Sequence, residues 1–254
     1  MSGAALAGKA GLVTGAGNGI GRAIACAFAA GGAAMMCLDI DLEAAEDTAR
    51  TIVNAGGRAL ARRCDVSQEA DTRAAAAAAQ AAFAALGILV NAAATDDPNG
   101  SVLDISPADW SRVFAVNVMG AYLMSRAVLP AMIAAGGGSI IHIASQLGRV
   151  GAPARAAYCA AKGALIQLAK AMAVDHAAQN IRVNALSPGA IETRRLVLRF
   201  GDMATARRVA GPKHLLNRLG QPEEIAQAAV FLASDAASFM TGADMLVDGG
   251  YTAT

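Results

Sequence analysis

Short apolar segments alternate with longer alanine-rich segments along the chain, and this alternation constrains the fold more than any other feature. The short apolar runs are typical of buried strands, whereas the longer segments favour helices. Strands are predicted at residues 10–14, 34–39, 58–64, 87–91, 139–145, 181–186 and 244–247. Helices are predicted near 20–30, 42–55, 107–118 and 120–135, around residue 158, from 222, and after Ser67 as an N-cap. This alternation predicts parallel strands joined by right-handed helical crossovers, which make one doubly wound α/β sheet.

Composition narrows the size of the fold and the class of ligand. The 254 residues are 55% apolar, which suits a single domain over residues 1–254 with a substantial core. A formal net charge of +1 favours a small-molecule ligand over nucleic acid. No run approaches the roughly 20 apolar residues of a membrane span, so a soluble, cytoplasmic protein with no membrane partner is expected. The four cysteines and three histidines lack metal-ligand spacing, so no metal site is expected.

The segment TGAGNGIG, residues 14–21, lies between the first predicted strand and the first predicted helix. Gly15, Gly19 and Gly21 would let a pyrophosphate approach the backbone, and the helix N-terminus would stabilise its charge. Asp39 ends the second strand, where its carboxylate can accept hydrogen bonds from both ribose hydroxyls of an adenosine. The glycine turn and Asp39 together predict a nucleotide-binding site.

The segment RAAYCAAKGAL, residues 155–165, places Tyr158 and Lys162 four residues apart in an alanine-rich stretch. Residues with this spacing lie one turn apart on the same helix face, so a phenol and an ammonium group are predicted to share one site. Taken alone, the pair is better explained as a helix-face tyrosine beside a solvated lysine.

In their order along the chain, these motifs resemble those of the short-chain dehydrogenase/reductase family over essentially the whole length. The matching segments are TGxxxGxG at 14–21, Asp65-Val66, NAAA at 91–94, Asn117, Ser145, Tyr158-x3-Lys162, Pro188-Gly189 with Thr193, and DGG at 248–250. The resemblance implies a Rossmann-type fold with a seven-stranded parallel sheet between helical layers. It also implies an enzyme that binds NAD(H) or NADP(H) and oxidises an alcohol or reduces a carbonyl.

The resemblance implies four catalytic residues. Tyr158 would be the acid/base, Lys162 would activate it and bind the nicotinamide ribose, Ser145 would bind the substrate oxygen, and Asn117 would hold a water in a proton relay. Lowering the pKa of a tyrosine from about 10 to neutrality requires roughly 4 kcal/mol, and one charge about 4 Å away supplies about 4 kcal/mol at an effective dielectric near 20. Because desolvation subtracts from this stabilisation, Lys162 alone is expected to fall short, and oxidised nicotinamide would add a second positive charge.

The resemblance also implies the cofactor contacts. Asp65 and Val66 would bracket the adenine, although Asp65 could equally support the helix that follows it. Ala92 and Ala94 replace the second Asn and the Gly usual in the family, so the local hydrogen bonding is expected to differ. Thr193 would meet the nicotinamide carboxamide, with simple helix capping as the alternative. The full implied set is Gly15, Asn18, Gly19, Ile20, Gly21, Asp39, Ile40, Asp65, Val66, Asn91, Ala92, Tyr158, Lys162, Pro188, Gly189, Ile191 and Thr193.

NAD(H) is expected in preference to NADP(H), because the Asp39 carboxylate would repel a 2′-phosphate. NADP-using relatives commonly carry a basic residue where this chain has Asn18 and Ile40. Arg22 is better placed for a surface or pyrophosphate-side role.

The segment 190–221 is predicted to be irregular and, from the resemblance, to cover the substrate as a lid. Its cationic side chains and histidine include Arg194, Arg195, Arg199, Arg207, Arg208, Lys213 and His214, against Glu192 and Asp202 as acids. A guanidinium cluster over a pocket could recruit an anionic substrate, whereas a solvated lid helix is the simpler alternative.

Two other functions stay open on the sequence alone. Reductases of 3-oxoacyl groups on a carrier protein resemble this chain too, but they usually carry basic residues near the end of the helix before the fifth strand, where this chain has MIAAG at 132–136. A catalytically silent nucleotide-binding protein should lack Ser145, Tyr158 or Lys162, and all three are present. His142, inside a predicted strand, is expected to be a packed residue rather than a catalyst.

The helices at 107–135 and 153–175 are alanine-rich on more than one face, which indicates a second packing partner. The resemblance implies that these helices pair across a two-fold axis and that the C-terminal segment completes a second interface. A homotetramer with D₂ symmetry is therefore expected.

Overall fold

A single parallel sheet of seven strands organises the part of the chain that the computed structural model describes, residues 5–83, 85–96 and 98–253. The strands are β1 Ala10–Thr14, β2 Ala34–Asp39, β3 Arg58–Arg63, β4 Ile88–Asn91, β5 Gly138–Ile143, β6 Ile181–Pro188 and β7 Asp244–Val247. They lie side by side in the order β3-β2-β1-β4-β5-β6-β7. The order reverses between β1 and β4, and sheets of this kind bind ligands at such a switch point, beyond the carboxyl ends of their strands. The predicted fold class is confirmed.

Helices cover both faces of the sheet. They are α1 Gly19–Ala30, α2 Leu42–Asn54, α3 Glu69–Ala82, α4 Pro107–Phe114, α5 Gly120–Ala134, α6 Ala156–His176, α7 Arg194–Phe200, α8 Met203–Ala210 and α9 Pro222–Ala233. A π-helical turn, Ala115–Met119, joins α4 to α5 into one continuous helical span. Such turns are frequent at functional sites, and this one contains Asn117.

Two sequence-based predictions of local structure were wrong. The N-cap of α3 is Gln68 rather than Ser67, because the hydroxyl of Ser67 donates to Asp65 Oδ1 at 2.7 Å instead of capping the helix. The segment 190–221 is not irregular, since it contains α7 and α8. These helices are too short for a clear apolar period, and one of them begins at a proper cap, Asp202, whose carboxylate accepts from Thr205 N–H at 2.7 Å.

The core consists of two apolar layers that the sheet separates. Alternate residues of one strand point to opposite faces, so Leu12 of β1 packs toward α3, α5 and α6, while its neighbour Val13 packs toward α1 and α9. The neighbouring strands β4 and β5 follow the same pattern, with Leu89 and Ile140 on the first face. Each of these side chains is fully buried, which stabilises the fold by about 1.5–3 kcal/mol per residue. The strands therefore hold their carboxyl ends rigidly in place.

Among the described residues, one helical span, Pro107–Ala134, is long and apolar enough by composition to cross a membrane. Length and composition alone are a weak indication, because a core helix of a globular domain passes the same test. In this protein Met124, Val128 and Met132 of the span are buried in the core. The cytoplasmic location stays a prediction.

Candidate active site

The glycine turn follows β1 at the switch point of the sheet. Gly15 has a φ of +65°, and a Cβ there would lie 2.8 Å from the Cα of Ala93. A Cβ on Gly21 would lie 2.1 Å from the Gly15 carbonyl oxygen. Gly19 is different, because a Cβ on it would approach only the Thr193 side chain, at 3.2 Å. At the start of α1, the bare backbone of Gly19 thus faces Thr193. A helix N-terminus favours a pyrophosphate at such a position.

Asp39 lies beside this turn, at the end of β2. Its two carboxylate oxygens accept hydrogen bonds from Gly17 N–H at 2.8 Å and Asp41 N–H at 3.1 Å. The two nearby arginines have other partners: Arg22 donates to Thr51 at 3.2 Å, and Arg63 pairs with Asp71 at 3.4 Å. Asp39 is therefore fixed in orientation, and the sequence position that follows it is the exposed Ile40.

The strand ends on either side of the switch point are tied together by Thr14. Its hydroxyl oxygen accepts from Ala92 N–H at 3.0 Å and from Ala93 N–H at 3.1 Å. The amide nitrogen of Asn91 lies 3.2 Å from Ser125 Oγ and 3.1 Å from His142 Nδ1. The NAAA segment thus forms these local hydrogen bonds through the backbone N–H groups of Ala92 and Ala93 and through the Asn91 side chain.

Asp65 and Val66 follow β3 and play different parts. Asp65 Oδ1 accepts from both the N–H and the hydroxyl of Ser67, at 3.0 and 2.7 Å, so the carboxylate supports the start of α3. This contact favours the structural alternative for Asp65. Val66 is buried against Gly120, where a Cβ would lie 2.6 Å from its side chain. The adenine contact of this pair stays a prediction.

Tyr158, Lys162 and Ser145 meet where β5 ends and α6 begins. The hydroxyl of Ser145 lowers the pKa of Tyr158 and accepts from Leu147 N–H at 3.1 Å. Lys162 donates to the carbonyl oxygen of Ile143, the last residue of β5, at 2.6 Å, and its Nζ lies 5.7 Å from the centroid of the Tyr158 ring. Helix α6 also packs against the π-helical turn that contains Asn117. The sequence-predicted phenol, ammonium and hydroxyl groups thus share one site.

Asn117 is buried at the edge of this site. Its side-chain oxygen accepts from Thr95 N–H at 3.0 Å, while its Nδ2 has no hydrogen-bond partner in the described part of the chain. A buried amide N–H without a partner is costly, so a further acceptor is expected there in the working enzyme. The π-helical turn orients this amide, since it inserts an extra residue between α4 and α5.

Two arginines, which sequence analysis did not place at this site, join Lys162 around Tyr158. The guanidinium carbons of Arg195 and Arg155 each lie 4.6 Å from the centroid of the Tyr158 ring. Burial alone would raise the pKa of Tyr158, but the charges of Arg195 and Lys162, the Ser145 hydrogen bond and the charge of Arg155 hold it below its ordinary value. Burial lowers the pKa of Lys162 to about 8, so at neutral pH the ammonium form still predominates. The phenol is thus surrounded by positive charge.

The segment 190–221 is held together internally by His214 and by Ile191. His214 is buried, its Nε2 accepts from Ala190 N–H at 3.1 Å, and its Nδ1 lies 2.9 Å from the Ala210 carbonyl oxygen. Ile191 is buried and pairs with Gly220 in an isolated bridge. Because both ring nitrogens of His214 have partners in the backbone, it is a structural residue of the lid rather than one of its free cations. Thr193 is the N-cap of α7, but its side chain makes no capping hydrogen bond, which argues against the simple capping alternative.

The last predicted cofactor positions are Pro188 and Gly189, at the end of β6. A Cβ on Gly189 would lie 2.9 Å from Asp248 Cα, so the chain leaves the sheet here in close contact with the closing DGG segment. The turn, Asp39, Asn91, Ser145 and Gly189 all follow carboxyl ends of parallel strands and therefore lie along one edge of the sheet. Among the residues described, no group of three or more His, Cys, Asp and Glu side chains could hold a metal ion.

The burial of His142 leads to a prediction of how the stability of the protein depends on pH. It is fully buried in β5, and burial, with the nearby Lys162 charge, lowers its pKa to about 4. As the pH falls, the unfolded chain, whose histidine has an ordinary pKa near 6.5, binds a proton before the folded chain does. The stability that neutral, buried His142 contributes is therefore complete above about pH 6.5 and is lost as the pH falls toward 4. The expected loss is about 3 kcal/mol of unfolding free energy.

Urea unfolding measured at several pH values between 7 and 4 tests this. His142→Gln should flatten the dependence, whereas His176→Gln, on a half-buried histidine at the end of α6, should leave it unchanged. The same pH slope in wild type and His142→Gln would contradict the prediction.

A parallel α/β sheet with a glycine turn at its switch point defines a dinucleotide-binding class of protein. The family model described as enoyl-(acyl carrier protein) reductase matches residues 15–252. The 2-(S)-hydroxypropyl-CoM dehydrogenase 3 of Xanthobacter autotrophicus is 42% identical over 95% of both chains. The cis-4-hydroxycyclohexanecarboxylate dehydrogenase of Sinomonas cyclohexanicum is 41% identical over 99% of both chains.

A solved structure gives the same result. The 7α-hydroxysteroid dehydrogenase complexed with NADH and 7-oxo glycochenodeoxycholic acid is 37% identical, with a TM-score of 0.91, over 96% of this chain and 94% of that one. The chain belongs to the short-chain dehydrogenase/reductase family. It is an oxidoreductase that uses a nicotinamide cofactor and interconverts a secondary alcohol and a ketone in a small-molecule substrate.

Proposed function

We propose that this enzyme uses NAD(H) to interconvert a small secondary alcohol and its ketone, with Tyr158 as the acid/base. One observation carries the proposal: the Tyr158 ring lies among three cations, Arg155, Lys162 and Arg195, whose charges lower the pKa of the phenol. An acid/base for this reaction must exchange a proton with the substrate oxygen at neutral pH, which an unperturbed tyrosine does poorly.

Three further residues take part in the proposed reaction. Ser145 holds the substrate oxygen beside the Tyr158 hydroxyl, and Lys162 keeps a positive charge beside the phenolate. The buried amide of Asn117 holds a water that continues the proton path from Lys162. Bound at the switch point, the nicotinamide supplies or accepts the hydride.

The residues at the switch point fit the cofactor. The turn from Gly15 to Gly21 would face the pyrophosphate, since side chains on its glycines would clash with backbone or fill the space before Thr193. Asp39 has two oxygens of fixed orientation, which suit the ribose hydroxyls of the adenosine of NAD(H). The remaining proposed contacts are Asn18, Ile20, Ile40, Val66, Asn91, Ala92, Pro188, Gly189, Ile191 and Thr193, with a smaller part for Asp65.

The substrate would lie between Tyr158 and the segment 190–221, which we propose as a lid within a single catalytic domain, 1–254. Two of the relatives are named for ring alcohols, cis-4-hydroxycyclohexanecarboxylate and cyclohexanol, and the first of these compounds carries a carboxylate. This supports a small substrate with a secondary hydroxyl over a long acyl chain on a carrier protein. Ile133, near the end of α5 where carrier-protein reductases usually have basic residues, is partly exposed and apolar.

A panel of secondary alcohols and ketones tests the proposal. The panel should contain ring alcohols, short hydroxy acids and a 3-oxoacyl thioester, each assayed with NAD(H) and NADP(H) by the absorbance of the reduced nicotinamide. Turnover of ring or short-chain compounds with NAD(H) is expected. A clear preference for the 3-oxoacyl thioester would favour the carrier-protein reductase, and turnover of nothing with intact cofactor binding would favour a silent nucleotide-binding protein.

The proposed enzyme is a homotetramer, and its exposed apolar side chains support this. Met119 and Tyr122 on the α4–α5 span, Val174 on α6 and Phe239 near the C-terminal segment are 45% to 106% exposed. Exposed apolar groups on these elements fit helix pairing across one two-fold axis and a second interface near the C-terminus. Light scattering at micromolar concentration should give about four times the 25.4 kDa chain mass.

Replacement of Phe239 by Asp should reduce the assembly to dimers. Val53→Asp should not, because Val53 is an exposed residue of α2, which packs against β2 and β3 rather than against these helices. A wild-type protein that scatters as a monomer would contradict the prediction.

A further inference from the structure

Arg195 has an unusual position for a lid cation. It lies in the first turn of α7, two residues after Thr193, and its guanidinium carbon lies 4.6 Å from the Tyr158 ring centroid. Its Nη2 is buried and has no hydrogen-bond partner among the described residues. A guanidinium N–H buried without an acceptor is costly, so a buried acceptor is expected to arrive with a ligand.

The other lid cations do not share this environment. Arg207 donates to both carboxylate oxygens of Glu192 at 2.6 Å, and Arg199 lies over the ring of Phe200. Arg218 pairs with Glu224 at 2.7 Å, and Arg194, Arg208 and Lys213 are exposed. Glu192 forms its ion pair with Arg207, and Asp202 caps α8. Both acidic residues of the segment thus have partners other than Arg195.

Stacking on Tyr158 does not use the hydrogen-bonding capacity of Arg195. A guanidinium over an aromatic ring is attracted through its face, while its N–H groups point outward in the guanidinium plane. A planar pair of N–H donors matches a carboxylate in a two-point hydrogen bond. Lys162 and Arg155 add positive charge around the same ring, so the space beside Tyr158 favours an anion over a cation.

We propose that Arg195 binds a carboxylate of the substrate, so that the enzyme selects a hydroxy or oxo acid whose anionic group lies a few bonds from the reacting carbon. This inference rests on the proposed function, because it takes Tyr158 to mark the reacting end of the substrate. The sequence left two alternatives for segment 190–221, an anion-recruiting guanidinium cluster and a solvated helix. The inference favours the first and assigns the recruitment of the anion to Arg195.

The test compares two unreactive probes of nearly equal shape, cyclohexanecarboxylate and cyclohexanecarboxamide. Calorimetric titration of the enzyme saturated with NADH should show that the carboxylate binds about 10- to 100-fold more tightly, as expected for a charge-assisted hydrogen-bonded pair. Arg195→Gln should reduce this ratio to within about threefold by weakening carboxylate binding and not carboxamide binding. Circular dichroism and NADH titration check that the variant is folded and binds the cofactor.

A matched control separates recognition from general attraction of anions. Arg194→Gln removes the same charge one residue away, from an exposed side chain, and should keep the wild-type ratio. Tyr158→Phe should also keep the ratio, since the ring remains, even though its turnover is lost. Failure of the proposed acid/base role would thus show in turnover of Tyr158→Phe, and failure of this inference would show in the binding ratio.

Four results would overturn the inference. The first is equal affinity of the wild-type enzyme for both probes, the second is no measurable binding of the carboxylate, and the third is a preference that survives in Arg195→Gln. A loss of the preference in both arginine variants would also overturn it, because the effect would then come from the net charge of the lid.

Discussion

Replacement of Tyr158 by Phe is expected to lower turnover by about 10²- to 10⁴-fold, the range typical of lost acid–base catalysis. The change removes one hydroxyl and keeps the ring against which Arg155, Lys162 and Arg195 lie. The fold and the affinity for the cofactor should therefore stay close to those of the wild type. The loss is expected because phenylalanine has no hydroxyl to exchange a proton with the substrate oxygen.

Initial rates with saturating alcohol and NAD⁺ measure this loss, and quenching of protein fluorescence by NADH measures the cofactor affinity. Tyr122→Phe, which removes the hydroxyl of a tyrosine 45% exposed on α5, is the matched control and should retain wild-type turnover. If Tyr158→Phe keeps more than half of the wild-type rate, Tyr158 is not the acid/base.

The strand and helix pattern could be predicted because it depends on local periodicity. Ala10–Thr14, for example, is buried at every position and has no polar side chain before Thr14, and the strands of a parallel sheet covered on both faces favour such a pattern. The glycine turn could be predicted for a similar reason, since Gly15 must adopt a positive φ and Gly21 must pack against it. Such demands appear directly in the sequence as residue types at fixed spacing.

The wrong N-cap of α3 was predicted because two local interactions of Ser67 compete. Ser67 could cap α3 or donate to Asp65, and the sequence permits both, so only the folded geometry shows that it donates to Asp65. Asp65 is linked to the same choice, because a carboxylate engaged by Ser67 is less available to a cofactor.

The short helices α7 and α8 were missed because seven or eight residues contain too few turns to show a period.

The electrostatics of Tyr158 depends partly on Arg195, which is distant in the chain and whose contact no spacing encodes, whereas Arg155 lies only three residues before Tyr158. Sequence reasoning expected Lys162 alone to fall short of activating the phenol, and desolvation does lower the pKa of Lys162. The missing positive charge comes from the protein itself, since Arg195 approaches from the lid and Arg155 from the start of α6. Arg195 stands in a run of lid cations with similar sequence context, so only the structure distinguishes it from Arg194.

Discrimination between NAD(H) and NADP(H) is the second large effect that we expect, and it depends on Asp39. A 2′-phosphate would bring about −1.5 to −2 charges beside the Asp39 carboxylate. At about 4 Å and an effective dielectric near 20, each unit charge of repulsion costs about 4 kcal/mol, so a preference of about 100-fold remains even after strong screening. The nearby arginines do not compensate in this structure, because Arg22 donates to Thr51 and Arg63 pairs with Asp71.

We therefore expect kcat/KM with NAD⁺ to exceed kcat/KM with NADP⁺ by about 100-fold or more in the wild type. Asp39→Asn keeps an oxygen that can accept from Gly17 N–H but removes the charge, so it should narrow the ratio, and added Ile40→Arg should narrow it further by offering the phosphate a cation. Asp41→Asn is the matched control, because Asn also caps helices and Asp41 lies only two residues away at the N-cap of α2. The control should keep the wild-type ratio, which shows that the effect belongs to Asp39 rather than to net charge. A wild-type enzyme that uses NADP⁺ as well as NAD⁺, or an Asp39→Asn variant with an unchanged ratio, would remove Asp39 as the residue that selects the cofactor.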